Sequence, residues 1–313
     1  MSYSGPHPDR HDPYGHPEPR RSRLRRPLTV ATAALVPVAL LGWLAFEKLG
    51  GSGGDGGANG TPGAGAAPGV LSSPATGPTG TDTSPAGPGA PLAGKVVVID
   101  PGHNLTNYRH TADIDRKVDI GTNRKECDTT GTSTNAGYSE ARFTLDVAHR
   151  LRALLEKQGA TVKLTQDGDR PFGPCVDERA RIGNAAHADA AVSIHADGSA
   201  EGNRGFHVIL PGEVRGGAAD TRAIVAPSRK LGEDIEGDFE QATGSSPSNY
   251  IGDGTGLVTR KDLGGLNLST VPKVFIECGN MRDTKDAALL TSGAWRQKAA
   301  QGISEGIVSF LRG

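Results

Sequence analysis

Four side chains in this 313-residue sequence are of the kinds that hold a divalent metal or move a proton beside one: His103, Glu140, His195 and Glu277. His103 follows the run Val98-Ile99-Asp100-Pro101-Gly102, and His195 follows Ser193-Ile194 and precedes Ala196-Asp197-Gly198. Glu277 follows Val274-Phe275-Ile276, and Glu140 heads an amphipathic stretch just after Tyr138-Ser139. Two histidines and one carboxylate are a usual donor set for catalytic zinc, which leaves the fourth position to water. A further carboxylate near that water would act as general base. Each residue also has a plainer explanation. A histidine just past a strand is more often an exposed loop residue, a carboxylate at a helix N-terminus is favoured by the helix dipole, and Glu277 could simply pair with Arg282. The four lie far apart along the chain, so spacing alone does not choose between these alternatives.

Only a shared scaffold could bring them together. Residues 95–100 (KVVVID) form a short β-branched run that ends at a Pro-Gly turn. Residues 139–158 predict a helix, with Phe143, Val147, Leu151, Leu154 and Leu155 at helical spacing and Gly159 as its stop. Strands are expected at 161–165, 190–194, 205–210 and 273–276. Helices are expected at 176–187 and 220–242, with one or two more over 283–311. This alternation predicts an α/β domain: a mixed, mostly parallel twisted sheet flanked by helices on both faces. Functional residues of such sheets gather at the strand C-terminal ends, where His103, His195 and Glu277 all fall. There is no internal repeat.

The first third differs in composition. Residues 1–26 are polar and end in Arg20, Arg21, Arg23, Arg25 and Arg26. An uncharged apolar run then covers residues 27–46. A run of about 20 such residues is long enough to span a bilayer, and the basic flank places the N-terminus in the cytoplasm. No small-residue cleavage site follows Phe46, so an uncleaved anchor is expected rather than a signal peptide. Residues 47–94 are mostly Gly, Pro, Ala, Ser and Thr, too poor in apolar surface to fold, and predict a flexible tether. One catalytic domain is expected over 95–313. A formal net charge of −1 argues against nucleic-acid binding.

Residues 98–103 (VIDPGH), Ser139-Glu140 at the head of the helix, and residues 193–198 (SIHADG), 262–268 (DLGGLNL) and 275–281 (FIECGNM) resemble, in that order, the zinc-dependent N-acetylmuramoyl-L-alanine amidases. The likeness spans residues 95–313 and leans toward actinobacterial members, which share the long insertion after the first histidine. It implies that His103, Glu140 and His195 bind zinc and that Glu277 is the catalytic carboxylate. It also implies that the substrate is the amide between N-acetylmuramic acid and L-alanine in peptidoglycan. The expected protein is a membrane-tethered monomer working outside the cell. Two alternatives belong to other classes: a wall-binding or regulatory module that has lost catalysis, and a metallopeptidase acting on another amide.

Asp197 departs from the resemblance, since many relatives carry Asn there. Asp100 could hydrogen-bond a ligand histidine or cap its turn. In the insertion between residues 104 and 136, Asp113, Asp115, Asp119 and Asp128 sit in polar sequence that reads as a solvated loop, or as a flap beside the substrate groove. His110, His149, His187 and His207 are expected to face solvent or to pack. Cys127 and Cys175 lie in loop-like sequence and are expected to pair outside the membrane. Cys278 should point away from Glu277 as a buried free thiol. A cysteine-peptidase chemistry lacks a spare activating histidine.

Overall fold

The computed structural model describes residues 89–313. The expected basic tail (1–26), membrane span (27–46) and most of the tether (47–94) lie outside the described residues. Among the described residues no helix is long and apolar enough to cross a membrane. In chain order the principal elements are β1 (Val96–Pro101), α1 (Glu140–Lys157), β2 (Thr161–Leu164), α2 (Val176–Ala185), β3 (Ala190–Asp197), β4 (His207–Pro211), α3 (Val225–Thr243), β5 (Leu257–Arg260), β6 (Lys273–Asn280), α4 (Thr284–Leu290) and α5 (Gly293–Arg312). The strands form one six-stranded sheet in the order β2-β1-β3-β6-β4-β5. The first four of these run parallel, β4 runs antiparallel to β6, and β5 is parallel to β4. This is the expected mixed, mostly parallel α/β sheet.

Period-two alternation in the central strands sorts their side chains. Val97, Ile99, Val192, Ile194, Val274, Ile276 and Cys278 point to one face and join the main core with α1, α3 and α5. Their alternates, Asp100, Ser193, His195, Phe275 and Glu277, point to the other face. A smaller layer covers that face: α2, the short helix Gly264–Asn267 and the insertion after His103. Helix α1 forms as its pattern predicts. Ser139 caps it, Phe143, Val147, Leu151 and Leu155 are buried, and Gly159 at φ 94° ends it.

Several boundaries differ from expectation. Leu92 lies within the expected tether, yet it is fully buried in the main core and its N–H bonds to Gln158 O at 2.9 Å. The packed domain therefore begins before Lys95. Strands β3 and β6 run on past residues 194 and 276, which places His195 and Glu277 inside strands and directly opposite one another in register. Helix α3 starts at Val225 rather than 220, because Ala219–Asp220 pairs with Arg215–Gly216. The edge strand β5 was not anticipated; it is short and only partly buried. The insertion is ordered, with a hairpin of Lys117–Asp119 and Arg124–Glu126.

Candidate metal centre

Three elements deliver three donors to one point. His103 leaves the end of β1 at φ 63°, a conformation uncommon outside glycine. Glu140 opens α1, and His195 stands on the site face of β3. Donor atoms of these residues all lie within 4.8 Å of one another. Glu140 Oε1 is 3.1 Å from His103 Nε2 and 3.0 Å from His195 Nδ1. Zinc–ligand bonds of about 2.0–2.1 Å in a tetrahedron place donors roughly 3.3 Å apart, so the arrangement fits such an ion.

The remaining ring nitrogens are held so that the lone pairs face inward. His103 Nδ1 donates to Thr129 O at 3.1 Å, which leaves Nε2 free. Ser193 Oγ donates to Asp100 Oδ2 at 2.9 Å and accepts from His195 Nε2 at 3.2 Å, which leaves Nδ1 free. Asp100 thus reaches His195, one of the three candidate donors, through a hydroxyl and does not merely cap its turn. Burial opposes its ionisation, but Lys273 and Arg179 outweigh that and hold its carboxyl far below the usual range. Lys273 Nζ lies 2.9 Å from Asp100 Oδ2 and Arg179 Nη1 lies 2.8 Å from Oδ1. Arg179 also donates to Asp128 Oδ2 at 2.9 Å, His103 O at 2.9 Å, Pro101 O at 2.6 Å and Pro174 O at 2.8 Å. This buried guanidinium therefore ties the His103 segment to Asp128 of the insertion and to the start of α2.

Glu277 faces the same side one strand away. Its Oε2 is buried without a partner. Burial, and then the charges of Glu140 and Asp197, push its carboxyl well above the usual range. It makes no ion pair with Arg282, which is exposed and reaches toward Ser133 O at 3.4 Å. Asp197 accepts from Tyr250 Oη at 2.7 Å. A cavity of about 240 Å³ opens beside the donors, lined among others by His103, His195, Phe275, Lys125 and Asp262.

Of the other candidates, Asp113, Asp115 and Asp119 are exposed, but Asp128 is buried beside His103 Nδ1 at 3.5 Å. Its segment is packed rather than solvated, and with Lys125 and Thr129 it borders the cavity beside the donors. His149 and His187 are exposed and His207 is packed; none joins the donor cluster. Cys127 and Cys175 form a disulfide, and Cys278 is a buried free thiol in the main core. Sequence reasoning missed Ser193, Arg179, Lys273 and Thr129. Alternation from His195 would have put Ser193 on the site face, and alternation from Glu277 through Phe275 would have put Lys273 there too, but nothing local marks Arg179 or Thr129.

Residues 97–309 match the N-acetylmuramoyl-L-alanine amidase family. The chain belongs to that family. This makes it an amidase and a hydrolase. It is 44% identical over 224 residues to N-acetylmuramoyl-L-alanine amidase Rv3717 of Mycobacterium tuberculosis, which covers 71% of this chain and 88% of the relative. The amidase also resembles the crystal structure of the N-acetylmuramyl-L-alanine amidase Ami1 from Mycobacterium smegmatis, at 41% identity and a TM-score of 0.64 over 70% of this chain and 98% of that one. The apo form of Ami1 from Mycobacterium abscessus is similar at 40% identity and a TM-score of 0.65, over 70% of this chain and 100% of that one. The likeness to actinobacterial members is thus present in sequence and in fold.

Proposed function

We propose that this amidase uses one zinc ion to hydrolyse the amide between N-acetylmuramic acid and L-alanine in peptidoglycan, outside the cell membrane, during wall remodelling or cell separation. The observation that carries the proposal is the convergence of His103 Nε2, Glu140 Oε1 and His195 Nδ1, with Glu277 in register beside His195. Zinc, when bound, lowers the pKa of its water toward neutrality and polarises the scissile carbonyl. His103, Glu140 and His195 hold it. Glu277 takes the proton of the attacking water and delivers it to the departing amide nitrogen, which is too basic to leave unprotonated. Its buried, unpartnered oxygen and raised proton affinity suit both halves of that transfer.

Placement outside the membrane rests on the arginine cluster before the apolar run of residues 27–46. The Cys127–Cys175 disulfide suits an oxidising compartment. In this proposal the protein is a monomer that takes peptidoglycan directly into the groove beside the donors.

The test is mass spectrometry of products from purified murein, together with zinc content. Glu277→Gln should keep zinc and release no peptides with new N-terminal alanine, whereas His195→Ala should lose both zinc and release. Full release by Glu277→Gln would overturn the assignment.

A further inference from the structure

One ligand and the other two are anchored differently. His195 is held from within the sheet by Ser193. His103 and Glu140 are both held by one five-residue stretch of the insertion, residues 128–132, with Glu140 Oε1 also accepting from Ala196 N of β3 at 3.2 Å. Thr129 O and Thr129 Oγ1 lie 3.1 and 3.2 Å from His103 Nδ1, with Asp128 Oδ1 at 3.5 Å. Thr132 N donates to Glu140 Oε2 at 2.9 Å, and Thr132 O accepts from Glu140 N at 2.9 Å. Between them Gly131, at φ +71°, lies against both ligands. A Cβ there would stand 2.7 Å from His103 Cδ2 and 2.8 Å from Glu140 Oε2, closer than real side-chain contacts allow.

Little packing holds this stretch. Thr129 and Thr130 are exposed. The apolar cluster beneath the insertion is small: Val118, Ile120, Cys127, Cys175 and the half-buried Val176. Its centre is the disulfide, one residue before Asp128. The far half of that disulfide starts α2, whose Arg179 binds Asp128 Oδ2 at 2.9 Å. The covalent clip therefore joins the stretch to the helix that carries its charge partner.

We propose that residues 128–132, clipped by Cys127–Cys175, position His103 and Glu140 for the metal, so that zinc affinity depends on an insertion that supplies no ligand. The inference rests on the zinc assignment above. Partners of this kind typically contribute 10–100-fold in metal affinity. Loss of the clip frees the stretch to sample other conformations, and the two ligands then lose their fixed orientation together.

The experiment measures zinc affinity of the full metal-stripped chain by competition with a chromophoric chelator, alongside far-ultraviolet circular dichroism and the visible spectrum of the cobalt form. Asp128→Asn, Gly131→Ala and the paired Cys127→Ser, Cys175→Ser change should each keep the folded dichroism spectrum. Each should weaken zinc binding roughly tenfold or more and alter the cobalt spectrum. Serine replacement is preferred to chemical reduction, because freed thiols would themselves bind zinc. Lys117→Ala, in the exposed hairpin of the same insertion, should leave affinity unchanged. A merely structural role would lower the melting temperature without changing the affinity of the folded fraction. Wild-type zinc affinity in folded Asp128→Asn and in the serine pair would overturn the proposal. If the serine pair fails to fold, Asp128→Asn decides. Failure of the unmodified chain to bind zinc at all would instead overturn the metal assignment itself.

Discussion

Gly102 is the position at which one methyl group should have the largest effect on the centre. It lies between His103 and the end of β1, buried, with its N–H bonded to Ile194 O at 3.0 Å. A Cβ there would fall 2.3, 2.6 and 2.7 Å from Cε1, Nδ1 and Nε2 of His195. Ordinary van der Waals contact begins at 3.4 Å, so the ring must retreat by roughly 1 Å, a displacement that can cost on the order of 10²-fold in rate. Retreat directly away from the new methyl is opposed by Phe275, stacked on the ring's other face at 5.2 Å between centroids and an interplanar angle of 2°, so the ring can move only by leaving its place among the donors. Phe275 is itself backed by Gly265, where an added Cβ would meet the phenyl ring at 3.0 Å. Gly102→Ala should therefore lower murein hydrolysis by about 10²-fold, equivalent to about 3 kcal/mol in the barrier. Zinc affinity should fall with it, because the displaced atom Nδ1 is the one that faces the other donors. Overpacking should also cost about 1–3 kcal/mol in stability. The assay is dye release from labelled murein, with chelator competition for zinc and thermal melting of the metal-free protein. A Gly102→Ala protein with wild-type turnover and zinc affinity would refute this geometry.

Arg179→Met should cost about 3–5 kcal/mol, chiefly by leaving Asp128 buried without its cation while Asp100 keeps Lys273, seen as a fall in melting temperature; an unchanged melting temperature would contradict this. His207 is buried with Nδ1 unpartnered, and burial brings its pKa down to about 4. Because the folded value lies below the unfolded one, stability is complete above about pH 6.5 and is lost as pH falls toward 4, by on the order of 3 kcal/mol. His207→Gln should flatten that slope in urea titrations of the metal-free chain at pH 7.5 and 4.5, and an unchanged slope would reject the assignment. Cys278 should not react with a thiol reagent in the native protein; one thiol should react after denaturation without reductant and three after reduction.

Much of the fold was legible because its signals are local. The β-branched runs, the helical spacing of Phe143, Val147, Leu151 and Leu155, and the Pro-Gly and Gly stops each act within a few residues. What these signals gave poorly was extent. Strands β3 and β6 outrun their apolar cores because polar site residues continue the ladder, so His195 and Glu277 look like loop residues in the sequence. The edge strand β5 carries too little buried surface to announce itself. The insertion reads as solvated because its acidic and threonine-rich composition is that of an exposed loop, yet Asp128 is buried.

The amino-acid sequence by itself determined an α/β domain with two histidines and two carboxylates suited to metal chemistry, an arginine cluster followed by an uncharged apolar run, and three cysteines. It did so because helix, strand and turn preferences, and the chemistry of each side chain, belong to residues and their near neighbours. Only the tertiary structure decided that Glu140 Oε1 meets both histidines, that Ser193 and Thr129 set the ring tautomers, and that Arg179 binds Asp100 and Asp128 at once. The contacts of Glu140 with His195 and of Arg179 with Asp100 and Asp128 join residues 55, 79 and 51 apart, and such distances close only when strands pair side by side and α2 folds back over them. The same closure gave the insertion its place against the centre. It joined Cys127 to Cys175 across a sequence separation of 48 residues, a pairing that composition permits but only proximity completes.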